Sequence, residues 1–101
     1  MAIAEISVVP LGTGTPSVSK YVARAVRVLQ QEQNVKYEAT AMGTIVEADL
    51  DRILAVVRKM HEAAFCEGVA RVVTTMKIDD RRDEARSMQD KLASLNRELQ
   101  R

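Results

Sequence analysis

Between Pro10 and Ser19 this chain concentrates groups suited to holding an anion or a polar small molecule. The run Pro10-Leu11-Gly12-Thr13-Gly14-Thr15-Pro16-Ser17-Val18-Ser19 carries two glycines, two prolines and four hydroxyls. Glycine opens left-handed backbone angles, proline stiffens the entry and exit, and hydroxyls cap a helix start. Where such a loop runs into a helix, exposed N–H groups and hydroxyls converge on one point. A nucleotide phosphate is not the ligand these residues describe. The Walker loop ends in Gly-Lys-Ser/Thr and Lys20 is out of place for it, while the dinucleotide fingerprint needs a third glycine that is absent.

Other reactive residues are sparse. His61 is the single histidine, so one chain cannot build a two-histidine metal site, and it reads as an exposed helical residue. Cys66, the single cysteine, falls near a helix C-terminus, where the dipole disfavours a thiolate, and reads as packing. Met42, Met60, Met76 and Met88 read as core fillers. Asp79-Asp80-Arg81 sets two carboxylates at a strand end, suited to acid–base chemistry but more simply a turn closed by salt bridges. Glu47 and Arg71 fall on one face of the predicted sheet, where they either pair or meet a ligand. No nucleophile, base and orienting group assemble into a set, so no catalytic residue, metal site or cofactor is assigned.

Composition bounds the partners. The 101 residues suit one domain, taken as residues 1–101, and 47% apolar content is enough for a core. A net charge of +1 and 3% aromatic residues argue against nucleic acid, which needs basic patches and stacking platforms. No apolar run is long enough for a membrane span and no secretory leader is evident. With no internal disulfide available, the expected location is cytoplasmic.

These groups must be positioned by regular elements, and the periodicities supply them. Residues 2–9 alternate as a strand, with Ala4, Ile6 and Val8 on one face and Ile3, Glu5, Ser7 and Val9 on the other. Val18, Val22, Ala25, Val26 and Leu29 follow helical spacing to about Gln33, with Thr15 as N-cap and Pro16 at the first helical position, or Ser17 as the competing cap. Val35 to Ala41 and Thr44 to Ala48 form a hairpin around Gly43, which lies in the turn or at a bulge. Asp49 or Asp51 caps a helix with Ile53, Val56, Val57, Met60 and Ala64 inward, stopped by Gly68. Val69 to Ile78 is the last strand, and a helix from about Glu84 carries the seam Met88, Leu92, Leu95 and Leu99. The predicted class is α+β: a ferredoxin-like βαββαβ antiparallel sheet with an additional C-terminal helix.

Two helices cover one face of such a sheet. The other carries Ile3, Glu5, Ser7, Val9, Glu38, Thr40, Ile45, Glu47, Arg71, Val73, Thr75 and Lys77, too apolar for a solvated face and too charged for a core. A sheet-to-sheet contact between copies of the chain is the expected resolution.

Several stretches, in order, resemble the thiamine-binding, YkoF-like family: Ser7-Val8-Val9-Pro10-Leu11-Gly12-Thr13-Gly14 with Ser17-Val18-Ser19, then Met42-Gly43-Thr44-Ile45-Val46-Glu47, then Gly68-Val69-Ala70-Arg71-Val72 running to Lys77-Ile78-Asp79-Asp80-Arg81. The resemblance implies a ferredoxin-like subunit that forms homodimers or homotetramers through its sheets. It also implies a non-enzymatic binder of thiamine or its hydroxymethylpyrimidine moiety, acting as carrier, buffer or sensor. The alternative is an oligomeric regulatory module whose assembly or partner binding depends on ligand. Carried over by position, the implied ligand contacts are Pro10, Leu11, Gly12, Thr13, Ser17, Ser19, Met42, Gly43, Thr44 and Glu47. Arg71, Asp79 and Arg81 match the later motif and serve either ligand or interface. Tyr21 and Tyr37 are the candidates for ring stacking. A thiazolium is a permanent cation that Glu47 would favour in a partly dry cleft, and an aminopyrimidine offers donors and acceptors that a loop can match.

Overall fold

Alternation in the first strand sets the two faces of the sheet. Ala2, Ala4, Ile6 and Val8 are buried, while Glu5 and Val9 between them are exposed. The computed structural model describes residues 1–15, 18–83 and 87–100. Its elements are β1 (Ala2–Leu11), α1 (Ser19–Gln30), β2 (Lys36–Ala39), β3 (Thr44–Ala48), α2 (Leu50–Ala63), β4 (Arg71–Asp79) and α3 (Met88–Leu99). The sheet order is β2-β3-β1-β4, with every pair antiparallel. This is the predicted α+β, ferredoxin-like arrangement with its additional C-terminal helix.

Helices α1 and α2 bury Ala25, Leu29, Ile53, Val56 and Met60 against Ile6 and Val46 of the sheet. A side-chain network fastens the link after α1 to α2: Glu32 accepts from Lys59 at 2.5 Å and from Arg52 at 3.4 Å. Lys59, through its hydrogen bond and then its charge, holds the Glu32 carboxyl below its ordinary pKa.

Several boundaries differ from the expectation, each for a local reason. Helix α1 starts at Ser19 with Val18 at the cap position and no side-chain cap, so Thr15 is not its N-cap. The Thr13 hydroxyl instead donates to the Thr15 carbonyl at 2.8 Å, keeping that residue in the loop. Pro16 and Ser17, given the first helical position and the competing cap, lie outside the described residues. The buried stripe of α1 is Tyr21, Ala25 and Leu29, whereas Val22 is exposed. Strand β2 ends at Ala39 because Thr40 turns its N–H and its hydroxyl to the Gly43 carbonyl, both at 2.8 Å. Ser87 starts α3 through a capping box: its hydroxyl accepts from the Asp90 N–H and its own N–H donates to the Asp90 carboxylate.

Helix α3 does not complete the core. Met88 is buried, but Leu92, Leu95 and Leu99 remain exposed, so the predicted seam faces outward over most of its length. The helix is tied to the second face of the sheet by an ion pair from Lys91 to Asp79.

Candidate functional site

Strand lengths create a lateral cleft. Strand β1 has ten residues and β3 only five, so β3 pairs with β1 from Ala2 to Ile6 and then stops. Beyond Ile6, β1 keeps β4 on one side as far as Leu11. On its other side the β2–β3 turn swings away, leaving a cavity of about 230 Å³ between Ser7–Val9, the turn Thr40–Gly43, and Val22 and Val26 of α1. At its near end the turn stays close to Ile6, and Gly43 permits that approach. A Cβ there would stand 2.9 Å from the Ile6 carbonyl oxygen, so close that the backbone would have to shift.

The lining is uncharged. Thr40 brings a hydroxyl to the wall, yet that group is committed to its own turn. It donates to the Gly43 carbonyl and accepts from the N–H groups of Met42 at 3.3 Å and Gly43 at 3.2 Å. Met42 forms part of the wall while being 84% exposed, so it is not the core filler its chemistry suggested.

The sequence-based candidates therefore divide. Met42, Gly43 and Thr44 come together at the cleft. Pro10, Leu11, Gly12 and Thr13 continue β1 past it, and Ser19 opens the helix whose next turns supply Val22 and Val26. Gly12 and Gly14 both take the left-handed angles expected of this loop, with φ of 75° and 77°. Ser17 lies outside the described residues. Neither Tyr21 nor Tyr37 lines the cleft; Tyr21 is buried and Tyr37 packs against the core.

Glu47 and Arg71 belong elsewhere. Successive strand residues face opposite ways, so Glu47 lies on the face away from Thr44, beneath the second side of the sheet. It is opposite Ile3 on β1, whereas Arg71 is opposite Leu11. Eight residues at about 3.3 Å each separate them by roughly 26 Å, so they do not pair. Glu47 is 4% exposed rather than open, and its Oε2 has no hydrogen-bonding partner among the described residues. A buried charged oxygen with no partner is costly.

The remaining reactive residues take structural places. His61 is half-buried rather than exposed: its Nδ1 lies 2.7 Å from the Thr74 hydroxyl and its ring meets Phe65 edge-on at 5.3 Å. The Asp79–Asp83 turn is closed by ion pairs, Arg82 to Asp80 at 2.9 Å and Arg81 to Asp83 at 2.7 Å, with Asp79 held by Lys91. Hydrogen bonding from Lys91, then its charge, keeps the Asp79 carboxyl below its usual value, and Arg81 does the same to Asp83. Among the described residues no group of three or more His, Cys, Asp or Glu side chains is placed to hold a metal ion. Nor, among them, is any helix long and apolar enough to cross a membrane.

Val22 and Val26 line the cleft although their spacing points to the core. The readable signal for the cleft was the length mismatch between β1 and β3, which leaves one strand edge uncovered.

Fold and cleft together define an α+β protein of ferredoxin-like architecture with an uncharged lateral pocket. The profile of the thiamine-binding protein family matches residues 4–96, and the chain belongs to that family. A UPF0045 protein of Methanothermobacter thermautotrophicus is 48% identical over 100 residues, spanning 98% of this chain and 100% of the relative. The UPF0045 protein YqgV of Bacillus subtilis is 45% identical over 103 residues, spanning 99% of each. Among solved structures, the hypothetical protein MJ1052 of Methanocaldococcus jannaschii matches with a TM-score of 0.86 at 41% identity, covering 94% of this chain and 95% of that one.

Proposed function

We propose that the lateral cleft receives the neutral aminopyrimidine part of thiamine, or free hydroxymethylpyrimidine, and that the protein is a non-enzymatic carrier, buffer or sensor. The uncharged lining of the cleft carries this reading. A thiazolium cation finds no opposite charge in a wall of valines, methionine and hydroxyls, whereas a neutral polar ring needs none. Size agrees. Small-molecule pockets usually measure about 300–1,000 Å³, so a cavity of about 230 Å³ suits one ring and leaves a second ring outside. Pro10 to Thr13 and Ser19 form the rim on this reading.

Calorimetric titration with hydroxymethylpyrimidine and with thiamine is the test. Both bind, with affinities within about tenfold of each other, because the added thiazolium makes few contacts. Absence of heat and of any thermal shift at millimolar ligand overturns the reading.

A second reading is favoured by the exposed leucines of α3. The chain works as a single domain over 1–101 in the cytoplasm, assembled as a homodimer or homotetramer, with ligand altering the assembly or the capture of a protein partner. On this view Glu47 and Arg71 serve the contact between copies. Light scattering with and without ligand separates the readings, since the first predicts no change in mass.

A further inference from the structure

We propose that the cleft selects its ligand through the main chain of Val8, whose N–H and C=O present a donor and an acceptor side by side to an aminopyrimidine edge. This rests on the reading of the cleft given above and names how the pocket discriminates. Beyond Ile6 the hairpin side of β1 has no strand neighbour among the described residues. Two observations decide which main-chain groups point there. The Ile6 carbonyl oxygen lies 2.9 Å from the position of a Cβ on Gly43, so it is directed at the hairpin. Successive strand residues send their N–H and C=O to opposite edges, and Val8 and Pro10 therefore face the same way as Ile6.

Pro10 supports this orientation independently. It lacks an N–H, and a strand tolerates it only where that position meets no partner. Ser7 and Val9 point to β4 and are paired with Thr75 and Val73. Between the end of β3 and Gly12, Val8 is thus the residue that offers both groups to the cleft; Pro10 offers a carbonyl alone.

Besides the Ser7 and Thr44 hydroxyls, no side chain in the wall offers the ligand's polar edge an uncommitted polar group. The Thr40 hydroxyl is spent on its turn, and Val22, Val26 and Met42 supply apolar surface. An aminopyrimidine carries a ring nitrogen that accepts beside an exocyclic amine that donates. Those two groups complement the Val8 N–H and C=O as an added strand would. If a carbonyl replaces the amine, the adjoining ring nitrogen carries a proton. Donor then meets donor and acceptor meets acceptor.

The test titrates the full chain with hydroxymethylpyrimidine and with its carbonyl counterpart, while backbone amides are followed by NMR. The amine form is expected to bind at least about tenfold tighter, since a buried peptide group left unpaired is costly. The Val8 amide should move and gain protection from exchange on binding, with the Ser7 and Val9 amides already protected by β4. Equal affinity for the two forms, or an unchanged Val8 amide, overturns the assignment to Val8 while leaving the cleft as the site. No binding of either form overturns the cleft reading itself.

Discussion

Single residues decide whether the cleft exists at all. Gly43 lets the hairpin turn approach β1, and the obstacle to a larger residue is backbone, which cannot swing aside. Gly43→Ala is expected to cost about 1–3 kcal/mol, as overpacking does, and to weaken ligand binding. Urea unfolding read beside calorimetry checks both, and an unchanged midpoint would mean the turn moves freely. Glu47 makes the opposite case. With a buried Oε2 and no hydrogen-bonding partner for it among the described residues, Glu47→Gln removes a charge that none of them offsets, and stability should hold or rise. A loss of about 3–5 kcal/mol, the penalty for breaking a paired buried charge, would show that a cation reaches it. Pairing Glu47 with Arg71, reasonable from strand alternation alone, fails because alternation assigns a face and not a distance along it.

Elements differ in how firmly they are held. Strands β1, β3 and β4 and helices α1 and α2 share the core, whereas α3 is attached at Met88 and by the Lys91–Asp79 ion pair. Because Lys91 lowers the Asp79 carboxyl below its unfolded value, the pairing is fully present above the ordinary aspartate pKa of about 4. It is lost as pH falls through the lower, folded value. Amide exchange in α3 should therefore speed up relative to β1 below about pH 4, and Asp79→Asn should speed it at neutral pH as well. Equal protection of α3 and β1 throughout would show that the ion pair does not hold the helix. The elements themselves were legible, since strand alternation and the helical spacing of Ile53, Val56, Val57 and Met60 report burial directly. Their ends were less so. Helix α1 begins after Val18 with no side-chain cap, a boundary that no periodicity encodes.

At the scale of the molecule, the fold covers one side of its sheet and leaves the other mixed. Leu92 and Leu95 are each 54% exposed and Leu99 is 72% exposed, a seam on α3 that a second copy would bury. Leu95→Lys should leave the folded subunit intact, because exposed substitutions usually cost within about 0.5 kcal/mol. In light scattering it should shift any assembly to smaller species, and an unchanged mass would exclude α3 from the contact.

The ferredoxin-like order, the hairpin and the faces of the strands were determined by the sequence, because each depends on periodicity over neighbouring residues. So was the crowding of glycines and hydroxyls after β1, and the family resemblance with it. Only the tertiary structure decided which of those residues meet. It opened a cleft where β3 ends short of β1, drew Val22 and Val26 into its wall, and sent Glu47 to the far side of the sheet. Those outcomes turn on register and strand length between segments distant in the chain, which local pattern does not carry. An uncharged lateral pocket, in place of one walled by Glu47, follows from that separation.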